Sequence, residues 1–403
     1  MHLSYCTNVH PAEDLDGVVR QLDVYAGPAR EAAGLATVGV GLWIPRDLAS
    51  RLVASADDRA VLRAALERNG LEVRTLNAFP YAAFHAEVVK LDVYRPDWTT
   101  PERLAYTLDC ARILADLLPL GADGSISTLP LGWREGWGPA EDAAATRQLV
   151  QLVDELRELR RSSGHTIRLA IEPEPGCILD TVDDVVDWLH PRIGIVDPAY
   201  VSVCLDTCHL AVSFADPASA VRRIRDAGLR VVKVQASAAL HVETPADPAA
   251  RAALEPFVEK RYLHQTREQG ADGVLRVDDL PEALDSLPGA GPWRVHFHVP
   301  LHHRPEAPLS ATTAVLAAAV SAVDAAWPSD EIHLDVETYT WAVLADAPSD
   351  LSTGIGAELA WAAAHLLTET ARAALATPPA AGGEHPRESV LVPGGLQTRA
   401  AAL

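Results

Sequence analysis

The stretch TIRLAIEPEPG (166–176), answered one repeat later by VSVCLDTCH (201–209), decides how this chain is read. Each begins with a short apolar run suited to a buried strand. Each then ends in ionisable residues, Glu172 and Glu174 in the first, Asp206 and His209 in the second. A carboxylate at the end of such a strand is paired, metal-bound or strained, because burying it alone is costly. The interval of about 34 residues is that of one strand–helix unit, so two neighbouring strands present the same chemistry at the same end.

Working outward, similar runs recur at LSYCTN (3–8), TVGVGLWI (37–44), EVRTLNAF (72–79), SISTLPL (125–131), RVVKVQAS (230–237), WRVHFHVP (293–300) and IHLDVETYTW (332–341). Segments of helical period separate them. In 141–161, Leu149, Leu152, Val153, Leu156 and Leu159 follow the three-and-four spacing of one buried face. Ser310 is placed to cap a helix running to Trp327, which Pro328 ends. This alternation predicts an α/β fold with a parallel sheet covered by helices. An open nucleotide-binding sheet would carry a Gly-rich loop after its first strand, and TNVHPAED (7–14) has none. Polar residues instead mark the strand ends: Asn8, His10, Trp43, Asn77, Glu172, Glu174, Asp206, His209, Gln235, His298 and Glu337. Barrel enzymes build their sites at that rim, so the expectation is a (β/α)8 TIM barrel over residues 1–375.

Nine strand candidates for eight staves imply an excursion between Gln235 and Glu337. Residues 238–290 are read as that insertion, after the seventh strand, with a hairpin over QGADG and a short helix that lids or lines the rim. The placement of Trp293–Pro300 stays open. From Ala376 to Leu403 the chain is rich in Pro, Gly and Ala and is expected to be a flexible tail.

The chain of 403 residues has 34 basic and 55 acidic side chains, a net charge of −21 that disfavours nucleic acid as a partner. An odd number of cysteines (Cys6, Cys110, Cys177, Cys204, Cys208) without paired spacing points to a reducing compartment. The start has no leader-like pattern, and no apolar run of about 18 residues suggests a membrane span. A cytoplasmic protein is expected.

Glu172, Asp206 and Glu337 fall at three strand ends, and like charges gathered there call for a cation. With histidine they form the mixed oxygen and nitrogen set that binds Mn²⁺, Zn²⁺, Co²⁺ or Mg²⁺. The nitrogen is left open among His209, His264 and His298, with His296 on the same strand face as His298. Gln235 is a further candidate ligand, and Lys233 a structural or anion-holding residue. His10, Trp43, Asn77, His85, His209 and Lys233 are candidate substrate contacts.

CLDTCH (204–209), with the preceding IEPE and following VET strands, resembles the xylose-isomerase-like superfamily of sugar epimerases, isomerases, dehydratases and an abasic-site endonuclease. MHLSYCTNVHPAE (1–13), TLNAFPYAAFH (75–85), VKLDVYRPDW (89–98), RYLHQT (261–266), HFHVPL (296–301) and VETYTW (336–341) are similar to the EboE family of bacterial metabolite-traffic proteins. The resemblance implies a divalent metal held by Glu172, Asp206, His298 and Glu337, with both glutamates moving a proton. His209 is then a substrate contact or a ligand. The implied activity is isomerisation or epimerisation of a sugar or cyclitol-like polyhydroxy carbonyl compound through an enediolate; barrels of this group often pair as homodimers. A cyclitol dehydratase and a non-catalytic metabolite carrier are the alternatives. The third and fourth strands lack the histidines of a trinuclear zinc cluster, which argues against abasic-site cleavage.

Overall fold

The computed structural model describes residues 1–328, 330–344 and 350–377. Seven strands follow one another around a barrel: β1 (His2–Cys6), β2 (Val38–Trp43), β3 (Leu71–Asn77), β4 (Gly124–Thr128), β5 (Ile167–Ile171), β6 (Val201–Asp206) and β7 (Val231–Ala236). An inserted sheet comes next, from β8 (Leu240–Val242), β9 (Thr266–Gly270), β10 (Gly273–Val277), β11 (Trp293–Val295) and β12 (Leu309–Ala311). The chain then returns to the barrel as β13 (His333–Val336), which pairs in parallel with β7 on one side and β1 on the other, closing the circle. The (β/α)8 architecture is therefore that of a TIM barrel.

Period-2 alternation gives the barrel two unlike surfaces. Leu3, Val40, Leu42, Leu169, Ile171, Val203, Leu205, Val234, Leu334 and Val336 belong to the apolar core beneath the helices. Helix Pro139–Ser163 supplies Ala145, Leu149, Leu152, Val153 and Leu156 as its buried face. It stops at Gly164, whose φ of +81° suits a residue without a side chain. The opposite alternation carries polar groups: Ser4 donates to Asp335 (2.9 Å), Thr75 and Ser125 share a hydrogen bond (2.8 Å), and Ser125 meets His333 (2.7 Å). Gly41 is required beside Asp335, because a Cβ there would sit 2.0 Å from its carboxylate.

The excursion is longer than the expected 238–290. Trp293–Val295 is the middle of the inserted sheet, antiparallel to both β8 and β9, and not a stave. Ser310 lies in β12, so the helix Thr313–Ala326 begins after Thr312 and not at Ser310. The inserted sheet has its own core of Trp293, Val295, Phe297, Val299, Leu240 and Val242. Buried Glu268 ties it together by accepting from Trp293 Nε1 and from the backbone of Gly289, Ala290 and Gly291. Apart from Ala376 and Thr377, the expected tail lies outside the described residues. Among the described residues no helix is long and apolar enough to cross a membrane.

Candidate active site

The carboxylates of Glu172, Asp206 and Glu337 converge above the barrel, each offering an oxygen within 4.8 Å of the others, and all three are buried. Local structure aims each one. Glu172 follows β5 directly and its backbone N–H donates to Thr128 at 3.0 Å. Asp206 ends β6 and caps the helix Thr207–Val212: Oδ1 accepts from His209 N–H (2.7 Å) and Ser237 Oγ (2.9 Å). Its Oδ2 has no hydrogen-bond partner among the described residues. Glu337 follows β13, and its Oε1 accepts from Asn8 (2.7 Å) and Asn77 (3.0 Å). Those two amides come from the loop after β1 and the end of β3, so distant strands fix one carboxylate.

Nitrogen donors reach the same point from the insertion. Val295, Phe297 and Val299 bury themselves in the inserted core, and by alternation His296 and His298 face the barrel mouth. His298 donates Nδ1–H to the Glu337 carbonyl (2.8 Å), leaving Nε2 as a lone pair with no partner among the described residues, 3.9 Å from Asp206 Oδ2. His209 donates Nδ1–H to the Pro173 carbonyl (2.9 Å), with Nδ1 also 3.8 Å from Glu172 Oε1.

Electrostatics reflect this crowding. Burial first, then the charges of Glu337 and Asp206, push the Glu172 carboxyl well above its usual range. Burial and the nearby Asp206 raise Glu337 to about 8. Burial lowers His298 to about 4 and His209 to about 3, so both imidazoles are neutral at pH 7.

Around this floor the pocket has an apolar wall of Phe79, Phe84, Val89, Val93, Tyr262 and Tyr339. Of the expected substrate contacts, Asn77 and His209 line it and the others do not. His10 stacks on Tyr25 (4.8 Å between rings) and meets Tyr5 Oη (3.2 Å), away from the pocket. Trp43 donates to the Pro80 carbonyl (3.0 Å) and packs behind Phe84. His85 is spent on the Asn8 carbonyl (2.7 Å). Lys233 is fully buried in the barrel, 2.9 Å from Asp335 and 3.2 Å from Ser127. One expected ligand falls away: His264 engages both ring nitrogens, with the His296 carbonyl and with Glu259. Gln235 is wholly buried within the barrel, outside the pocket lining, and neither of its amide atoms has a partner among the described residues.

Sequence reasoning marked Glu174 at a strand end without giving it a role, and it passed over Tyr94, Gln265 and the aromatic wall.

A family model described as xylose isomerase-like TIM barrel matches residues 29–257. No curated protein matches the chain. Among solved structures it is similar to D-allulose 3-epimerase from Methylomonas sp. in complex with D-allulose (14% identity, 91% of this chain and 97% of that one, TM-score 0.48). It is also similar to 3-keto-D-glucoside 4-epimerase from E. coli (13% identity, 90% and 98%, TM-score 0.44) and to the zinc-bound IolI protein (12% identity, 90% and 97%, TM-score 0.46).

Proposed function

This chain belongs to the xylose isomerase-like TIM barrel family, and on that premise we propose that it is a metal-dependent isomerase or epimerase of a sugar- or cyclitol-like polyhydroxy carbonyl compound. The observation that carries the reading is the convergence of buried Glu172, Asp206 and Glu337 with the lone pair of His298. Glu172 Oε2, Asp206 Oδ2 and His298 Nε2 are buried polar atoms without a partner among the described residues, and a divalent cation would satisfy them. Mn²⁺, Zn²⁺, Co²⁺ and Mg²⁺ all suit such a set. When bound, the cation supplies positive charge beside a carbonyl oxygen and so acidifies the adjacent C–H.

The chain's own groups do the rest. Glu172 and Glu337 stand as a base and acid pair: one takes the proton and the other returns it, either on the opposite face or at the neighbouring carbon, through an enediolate. Asn8 and Asn77 hold Glu337 in one orientation for that transfer. The apolar wall keeps water from the intermediate.

The similarity of the RYLHQT, HFHVPL and VETYTW segments to the EboE family is the ground for a role in bacterial metabolite biosynthesis or traffic, and pairing into a homodimer belongs to the same reading. The apolar wall also favours a second reading, a non-catalytic carrier that cradles a lipophilic metabolite. Ketoses and cyclitol ketones incubated with the protein and Mn²⁺ in D₂O decide between them. Deuterium entering carbon next to the carbonyl supports the enzyme, and loss of water from the product marks a dehydratase. A ligand that copurifies intact, with no exchange into any compound, favours the carrier.

A further inference from the structure

Two imidazoles of the site meet with no hydrogen between them. His209 Nδ1 faces the Pro173 carbonyl, which can only accept, so in the neutral ring Nε2 carries the lone pair. His296 Nδ1 faces Gln265 Oε1 at 2.7 Å. That amide's orientation is set at its other end, where Nε2 donates to the Pro175 carbonyl at 2.9 Å. His296 therefore also has its hydrogen on Nδ1 and its lone pair on Nε2. Yet the two Nε2 atoms lie 3.1 Å apart, both rings buried. Lone pairs facing at this distance repel unless a positive centre sits beside both.

A third donor stands with them. Glu174 offers a carboxylate oxygen within 4.8 Å of one ring nitrogen of each histidine, and its Oε1 stands 3.9 Å from His296 Nδ1. Tyr94 Oη donates to its Oε1 at 2.7 Å, and its buried Oε2 has no partner among the described residues. Two nitrogens on one tetrahedral zinc, at about 2.0–2.1 Å from the ion, sit roughly 3.3 Å from each other. The observed gap is close to that bite. Pro173, Gln265 and Tyr94 supply the outer hydrogen bonds that hold metal ligands in one tautomer and orientation.

We propose that Glu174, His209 and His296 form a second cation site, for a nitrogen-preferring ion such as Zn²⁺ or Co²⁺, beside the oxygen-rich set of Glu172, Asp206 and Glu337. The proposal rests on the reading above only in placing two centres in one pocket. His296 comes from the insertion and lies beyond the segment that matches the family model. With three protein ligands, a fourth position is left for water or a substrate oxygen.

The test is zinc stoichiometry. Metal-free protein is dialysed to equilibrium against micromolar Zn²⁺ and bound zinc is counted by mass spectrometry, for wild type, His296→Asn, Glu174→Gln and Asp206→Asn. Two zinc ions per chain in wild type, and one in each of the first two variants with unfolding temperatures retained, is the expected result. Glu174→Gln serves as an independent arm should His296→Asn fold poorly. One ion per chain, kept in both variants and lost in Asp206→Asn, overturns the second site and leaves the first standing. No bound zinc in wild type overturns both.

Discussion

His298 donates its Nδ1–H to the main-chain carbonyl of Glu337 at 2.8 Å. A histidine from the insertion is thereby locked onto the residue that follows the last barrel strand, and its Nε2 is turned toward Asp206. The inserted sheet is thus part of the site rather than a covering for it. His298→Gln removes a nitrogen that points at the carboxylates. Its effect on Mn²⁺ affinity, read by titration calorimetry, should exceed the roughly 10–100-fold loss typical of an outer hydrogen-bonding partner. Unchanged affinity would place His298 outside the coordination set.

Asn77 acts one step back, through Glu337 Oε1. Asn77→Ala should lower turnover roughly 10–100-fold while Asn8 still holds the carboxylate from the other side. Partial rescue by Asn77→Gln, which keeps the amide donor, would support the positioning role, and a loss confined to the unfolding temperature would argue against it.

The barrel is legible from sequence because each stave is an apolar run with polar punctuation, and strand-end carboxylates keep their place whatever the loops do. Glu337 follows Val336 as Glu172 follows Ile171, and that shared register brings both to the rim. The stretch WRVHFHV reads equally well as a stave. What decides against it is antiparallel pairing with Leu240–Val242 and Thr266–Gly270, a contact between distant segments that periodicity does not carry. His10, Trp43 and His85 sit at the correct end of the barrel but turn onto Tyr25, Pro80 and the Asn8 carbonyl. Strand position gives height along the barrel and not the direction of a side chain beyond the strand. The polarity of His209 against His296 depends on Pro173 and Gln265, from two different loops, and no spacing rule reaches it.

Metal uptake should release protons at pH 7. Burial and neighbouring charges raise Glu337 to about 8, so in metal-free protein it holds its proton at neutrality, and they push Glu172 in the same direction. A cation needs both carboxylates ionised, so affinity climbs as pH rises toward 8 and falls as pH drops. Calorimetry in two buffers of different ionisation enthalpy should count about one proton or more released per ion. Buffer-independent heats would contradict this.

Lys233 is a structural cation here. With Asp335 it forms an ion pair at 2.9 Å, both side chains fully buried. Lys233→Met leaves Asp335 uncompensated and should cost about 3–5 kcal/mol of stability. Adding Asp335→Asn should recover much of that loss. Denaturant unfolding of the single and double variants measures it, and a single variant as stable as wild type would show that Asp335 finds another partner.

Asp206 offers the most direct test of a metal centre, because its two oxygens do different work: Oδ1 caps the helix Thr207–Val212 while Oδ2 has no hydrogen-bond partner among the described residues. Asparagine caps helices as well as aspartate does, so Asp206→Asn keeps the fold and removes the charge. Mn²⁺ binding by equilibrium dialysis should give one tightly held ion per wild-type chain and none in the variant, at an unchanged unfolding temperature. A wild-type chain that binds no Mn²⁺, or a variant that binds it equally well, would contradict the proposed centre.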